Sequence, residues 1–253
     1  MPEPLYRVHK LWKRFPDGTE ALKDINLEIT EGTCILIAGS NGSGKTLLMK
    51  TLVGLVEPSE GLILYRGQPL KEVITQVRQS VGLVFQDADA QIIGETVADD
   101  VAFGPKNKGV RGRVLSDQVD EILRRLELYT KKDVPPRRLS GGEKRRLAVA
   151  GILAMGGTTV IMDEPFANLD YPGVVQVLQL IHQLKKEKKT ILVLTHELEK
   201  VLGLADRLVI LHRGSICDDG EPELVLNRLK PEYGIRDPRQ HYDSVEDCTW
   251  LRS

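Results

Sequence analysis

The stretch Gly39-Ser40-Asn41-Gly42-Ser43-Gly44-Lys45-Thr46 constrains this chain more than any other. Before it runs Cys34-Ile35-Leu36-Ile37-Ala38, an apolar block the length of a buried strand. After it runs Leu47-Leu48-Met49-Lys50-Thr51-Leu52-Val53, the apolar face of a helix. Glycines let a backbone turn until successive N–H groups converge on one anion. A helix starting there adds its dipole and its free donors. Lys45 is spaced to reach terminal phosphates, and the Thr46 hydroxyl to ligate Mg²⁺. Strand, loop and helix in that order predict a nucleotide-phosphate site on an α/β fold.

Other blocks supply further strands, and their ends carry polar residues. Val81-Gly82-Leu83-Val84-Phe85 ends on Gln86. Thr159-Val160-Ile161-Met162 ends on Asp163-Glu164. Ile191-Leu192-Val193-Leu194 ends on Thr195-His196. In parallel sheets the carboxyl ends of strands face the ligand. A carboxylate there suits Mg²⁺. A second one can hold or deprotonate a water. Leu208-Val209-Ile210-Leu211 predicts one more strand. Toward the N-terminus, Leu5 to Val8 gives a weak strand signal, whereas Ile25, Leu27 and Ile29 alternate as in a half-buried one. Pro16-Asp17-Gly18-Thr19 is a turn between them. Phe15, just before it, reads as a small core aromatic or as a platform for a flat ring.

Residues 95–156 change to helical periodicity, with Val119, Ile122, Leu123 and Leu126 on one face. Lys106 to Arg113 reads as a solvated connection. Leu139-Ser140-Gly141-Gly142-Glu143 then opens an apolar helix, with Ser140 at the cap position. Its Gly141-Gly142 start would expose amide donors, a second place fit for an anion. Val174, Val177, Leu178, Ile181 and Leu184 predict an amphipathic helix. The lysines from 185 to 189 complement its dipole and need no other role. The tail from Glu221 is polar and proline-containing, and reads as frayed or as an interface.

A net charge of −1 over 253 residues gives no reason to expect a general nucleic-acid surface. Cys34, Cys217 and Cys248 lack metal or redox spacing, which suits a reducing compartment. No apolar run nears the roughly 20 residues that span a bilayer, and Met1-Pro2-Glu3-Pro4 lacks a signal pattern. Work at a membrane would therefore pass through another subunit.

Taken together, these pieces resemble the ATP-binding cassette (ABC) ATPases over about residues 5–225. The signature-like Leu139-Ser140-Gly141-Gly142-Glu143 is far more specific than the phosphate loop. By that resemblance Gln86 is the Q-loop glutamine, Asp163 the Walker B aspartate and Glu164 the catalytic glutamate. Asp170 is the D-loop aspartate, and His196 the switch histidine. Phe15 takes the place of the aromatic that stacks on adenine. The resemblance implies a P-loop, RecA-like core with a mostly parallel sheet over residues 1–86 and 157–225, including an N-terminal antiparallel β part. It further implies a helical subdomain over 87–156 and a C-terminal extension over 226–253. ATP would be held by residues 39–47 and by Ser140 to Glu143 of a second copy or paralogue, head to tail. Mg²⁺ would be held by Thr46, Gln86 and Asp163. Lys45, Gln86, Glu164 and His196 would carry the catalysis. Leu47 departs from the pattern, since many relatives carry a second hydroxyl there.

Residues 84–92 and 96–105, with Glu143-Lys144-Arg145-Arg146-Leu147-Ala148, resemble more narrowly the energy-coupling-factor and cobalt/nickel-type importers. This implies a peripheral ATPase on the cytoplasmic face of the cell membrane. It would serve an integral coupling subunit and a substrate-binding membrane subunit, for a vitamin such as biotin or a transition-metal ion. One of Asp87, Asp89, Asp99 and Asp100 would meet basic residues of the coupling subunit. The alternatives are a cassette of another importer class, a soluble cassette acting on DNA or ribosomes, and a regulatory ATP-binding subunit. A single phosphate loop without long heptads weighs against the second, and Glu164 with His196 against the third.

Overall fold

Strand alternation settles which face of the central sheet each residue covers. The computed structural model describes residues 3–239. Its N-terminal part is a sheet of order β2-β1-β4-β5, all antiparallel: β1 (Tyr6–Arg14), β2 (Glu20–Ile29), β4 (Glu60–Tyr65) and β5 (Gln68–Pro69). The weak signal at Leu5 to Val8 thus belongs to a nine-residue strand, held by pairing on both sides. The second sheet has order β10-β9-β3-β8-β7-β6. Its strands are β3 (Cys34–Ala38), β6 (Val81–Val84), β7 (Thr159–Asp163), β8 (Thr190–Thr195), β9 (Arg207–His212) and β10 (Ser215–Gly220). Every pairing in it is parallel except β9 with β10.

In β3, Cys34, Leu36 and Ala38 point into one apolar cluster, and Ile35 and Ile37 into the other. The period of two thus gives the sheet two buried faces, as parallel strands require. One cluster joins the antiparallel sheet to α1 (Lys45–Leu52) and α2 (Ile74–Ser80). The other takes the apolar faces of α3 (Val97–Asn107), α4 (Gly112–Arg125), α5 (Gly141–Ala154) and α6 (Tyr171–Lys186). The helices between β6 and β7 therefore share one continuous core with the sheet. Truncating a fully buried Leu36 to alanine is expected to cost about 2–5 kcal/mol.

Two expectations are corrected here. The connection at Lys106 to Arg113 shrinks to residues 108–111, because α3 runs to Asn107 and α4 starts at Gly112. Pro105 is buried and Lys106 pairs with Asp99 across two turns, so the basic run is helix end. The polar tail from Glu221 is also partly core. Beyond the short α7 (Leu198–Val201) it forms α8 (Pro222–Leu226), and Val225, Leu226, Tyr233 and Ile235 are buried. Of the extension over 226–253, residues 240–253 and with them Cys248 lie outside the described residues.

Burial also decides the cysteines. Loss of solvation pushes the Cys34 thiol up to about 12. The thiolate is the reactive form. Peptide mapping after brief alkylation of the folded chain is therefore expected to leave Cys34 unlabelled, with labelling only in denaturant. Labelling of Cys34 at native rates comparable to a free thiol would contradict its placement.

Candidate functional site

The parallel register sets the carboxyl ends of β3, β7 and β8 side by side, so that Ala38 stands opposite Thr195 and Asp163 opposite Leu194. The residues following these ends converge. The phosphate loop leaves β3 and enters α1 through Gly44, whose φ of 107° only glycine tolerates well. Gly39 is fixed by contact instead: a Cβ there would stand 2.2 Å from the Leu211 carbonyl and 2.4 Å from Ser43 Oγ. Lys45 is buried, and its Nζ donates to the Gly39 carbonyl at 2.7 Å and the Ser40 carbonyl at 3.3 Å. The same Nζ lies 3.3 Å from Glu164 Oε1. Leu47 packs against the apolar cluster beside α1, which explains an apolar side chain where a hydroxyl was the family expectation.

Thr46 Oγ1 donates to Asp163 Oδ2 at 2.7 Å. Asp163 Oδ1 is buried without a hydrogen-bond partner among the described residues. Burial pushes the Asp163 carboxyl up, and the Glu164 charge adds to this against the Thr46 hydrogen bond. An orphaned carboxylate oxygen beside a threonine hydroxyl is a hard, oxygen-only donor set, so these residues fit Mg²⁺. The sign gives a test. A raised carboxyl pKa means the folded chain holds its proton more tightly than the unfolded one, so stability falls as pH rises above the ordinary carboxylate range. Asp163→Asn is therefore expected to melt higher than the parent at neutral pH without divalent cation. The gap should close as pH falls, while turnover drops by more than about a hundredfold. A variant that melts lower at neutral pH would contradict this assignment.

Glu164 is the most constrained acid of the site. It has φ of 45°, a conformation that costs energy outside glycine, and its N–H donates to the Leu194 carbonyl at 2.8 Å. Its Oε2 accepts from Thr195 Oγ1 at 2.9 Å, and its Oε1 lies 3.0 Å from His196 Nδ1. His196 keeps 44 % of its side chain exposed and can face a ligand. Thr195 was not singled out by the sequence reading. Its signal was a hydroxyl as the last residue of a strand followed by a histidine. Its Oγ1 also accepts from Glu197 N–H, fixing the turn that carries His196.

Among the described residues, the other candidate residues make no hydrogen bond or ion pair with this cluster. Phe15 is 41 % exposed before its turn, with Lys13 Nζ 5.6 Å from the ring centroid. The core reading of Phe15 is thereby excluded. Ser140 caps α5, its Oγ accepting from Glu143 N–H, while Glu143 Oε2 accepts from Ser140 N–H. This capping box leaves Gly141 and Gly142 at the helix start. A Cβ on Gly141 would stand 2.4 Å from Leu169, and one on Gly142 2.5 Å from Gln176. Among the described residues no hydrogen bond or ion pair joins Ser140 to Glu143 with the Lys45–Glu164 cluster. Asp170 caps α6 through Gly173 N–H at 3.0 Å. Gln86 is exposed at the exit of edge strand β6.

Two further residues escaped the sequence reading as individuals. Arg145 is buried, and its guanidinium donates to the carbonyls of Gly141, Gln86 and Ala167. It thereby ties the signature helix to the exit of β6 and to the loop after Glu164. Gln91 donates to the Leu83 carbonyl and accepts from Phe85 N–H, pinning its short 3₁₀ turn against β6. Neither had a local signal, because both act on residues brought near only by folding.

A family model described as ABC transporter matches residues 22–167. The chain is 39 % identical over 223 residues to the energy-coupling factor transporter ATP-binding protein EcfA of Methanocaldococcus jannaschii, covering 87 % of this chain and 80 % of that one. It is 38 % identical to the protein of the same name from Carboxydothermus hydrogenoformans, covering 88 % and 84 %. Among solved structures, cbiO1 from Clostridium perfringens, described as part of the ABC transporter complex cbiONQ, superposes with a TM-score of 0.83. That pair shares 35 % identity over 91 % of this chain and 93 % of the other. With its phosphate loop and paired carboxylates set at the ends of parallel strands, this chain belongs to the ABC transporter family, as an ATP-binding subunit with ATPase activity.

Proposed function

We propose that the chain is the ATPase of an importer of the energy-coupling-factor or cobalt type, and that it works as a head-to-tail pair with a second copy or a paralogue. One observation carries the pairing. The cluster of Lys45, Thr46, Asp163, Glu164 and His196 holds half of a phosphate site, while the capped Gly141-Gly142 start of α5 offers donors elsewhere on the same chain. ATP between two copies would meet both. In this reading residues 39–47 cradle the phosphates, Phe15 stacks on the adenine, and Ser140, Gly141, Gly142 and Glu143 of the other copy close on the γ-phosphate. Asp170 lies at the same seam. Thr46 and Asp163 hold Mg²⁺, with Gln86 beside it. The cation neutralises phosphate charge when bound. Glu164 orients and polarises the attacking water, and His196 contacts the γ-phosphate.

The membrane partner docks on the surface from Gln86 to Gly104, where Ile93 and Phe103 expose large apolar side chains. The acids there are not equivalent. Asp100 accepts from the N–H groups of Ile93 and Gly94, and Asp99 Oδ2 accepts from the Thr96 hydroxyl within the cap of α3. Asp89 pairs with Lys144 yet stays 62 % exposed. Asp87 caps the turn at Asp89. Asp89 is thus the acid we place against a basic coupling segment. The chain sits at the cytoplasmic face without entering the bilayer; among the described residues no helix is long and apolar enough to cross one. The relatives' names support an energy-coupling factor transporter and a multi-subunit complex, while the vitamin or transition-metal cargo rests on the resemblance of residues 84–92 and 96–105.

The test is ATP turnover by the purified chain, with oligomeric state measured with and without ATP. Turnover with ATP-dependent pairing supports a homodimer. Turnover only after adding a paralogue supports a heterodimer. ATP-dependent pairing without turnover in either setting would sink the motor reading.

A further inference from the structure

The phosphate loop is braced from outside by the C-terminal part of the chain. Gly214 N–H donates to the Ser43 carbonyl at 2.9 Å, and the Leu211 carbonyl packs on Gly39. Beyond α8, Pro231–Tyr233 forms a 3₁₀ turn that ends on Gly234 in the left-handed conformation, φ 65° and ψ 29°. Tyr233 and Ile235 on either side are buried in the main apolar cluster, and the Tyr233 ring lies 5.7 Å from His212 at the end of β9. The turn is therefore anchored by flanking side chains and cannot easily back away. A Cβ placed on Gly234 would stand 3.2 Å from Ser40 Cβ and 3.7 Å from Ser40 Oγ. Ser40 is not a passive neighbour, since its carbonyl accepts from Ser43 N–H at 3.1 Å and from Lys45 Nζ at 3.3 Å.

We propose that Gly234 is a positioning residue for ATP binding: the turn at 231–235 clasps Ser40, and through the Ser40 carbonyl it sets the shape of the phosphate loop and the station of Lys45. The proposal rests on the reading that residues 39–46 hold the ATP phosphates. A shift of a few tenths of an ångström at Ser40 would move the loop's donors relative to the phosphates, and binding that depends on convergent donors is sensitive to such shifts.

The substitution that isolates this contact is Gly234→Asn, because asparagine tolerates left-handed backbone while adding a Cβ. Gly109→Asn is the control: Gly109 has φ of 85°, with nothing within 4 Å of its would-be Cβ. MgATP affinity is measured by calorimetric titration of the full chain, alongside nucleotide-free melting temperature. Gly234→Asn is expected to weaken MgATP binding by about threefold to tenfold. Its melting temperature should match that of Gly109→Asn, whose affinity stays at the parental value. In a Ser40→Gly background, which removes the opposing side chain, adding Gly234→Asn is expected to change affinity no further. Equal affinities of parent and Gly234→Asn would overturn the clasp alone. So would an undiminished effect in the Ser40→Gly background, or a melting loss that Ser40→Gly does not repair. Absence of MgATP binding by the parent would overturn the phosphate-loop reading itself.

Discussion

Glu164→Gln is expected to lower ATP turnover by about 10²- to 10⁴-fold, the range that a positioned general base contributes. The fold should survive, because a glutamine oxygen can still accept from Thr195 Oγ1, now at 2.9 Å from the carboxylate. Two things are lost. The side chain can no longer take a proton from water, and it no longer attracts Lys45 Nζ, 3.3 Å away. Lys45 is held by Glu164 and by two loop carbonyls. Releasing one of these holds frees Lys45 for the phosphates, so ATP affinity should stay level or tighten while turnover collapses. Phosphate release and ATP titration on the same preparation separate the two. A variant keeping more than about a tenth of parental turnover would remove Glu164 from the role of base.

Arg145→Leu carries the second large effect. Burial disfavours the guanidinium charge and pulls its pKa down, partly offset by Asp87. What holds it in place is a set of backbone carbonyls from three separate segments, Gly141, Gln86 and Ala167, the last at 2.8 Å. Leucine fills part of the volume and leaves those carbonyls without their donor. The three carbonyls are part-buried, so each one left unpaired costs at the low end of about 1–3 kcal/mol. A loss of roughly 3 kcal/mol and a melting point lower by about 10 °C are therefore expected. Turnover should fall as well, because the exit to Gln86 and the loop after Glu164 lose their shared brace. Arg145→Lys is expected to recover only part, since one ammonium cannot reproduce a fork of donors. A melting point within about 2 °C of the parent would show that the three segments need no common donor.

Much of this arrangement was legible before any coordinates. The loop at 39–46 depends on glycines, one lysine and one threonine that are consecutive, so spacing alone reveals it. Strand ends bearing Gln86, Asp163-Glu164 and His196 were visible because each polar group follows an apolar block directly. Ser140 was legible as a cap for the same local reason, and the capping box with Glu143 follows from i,i+3 spacing. Phe15 shows where locality runs out. An aromatic before a turn reads equally as core or as platform, and only the exposure of Phe15 in the folded chain removes the core reading.

What the sequence determined by itself is therefore the inventory of local devices: the phosphate loop, the strand blocks, the helix caps and the residues placed at strand ends. Each rests on neighbours within a turn or a strand, where backbone geometry fixes what lies near what. Tertiary structure alone decided which distant groups those devices meet. Thr195 reaches Glu164 across 31 positions, Arg145 reaches Gln86 across 59, and Gly234 comes against Ser40 only after the last turns of chain fold back on β9. The parallel register of β7 and β8 creates the first of these meetings, and no periodicity within one segment encodes which strand will lie beside it.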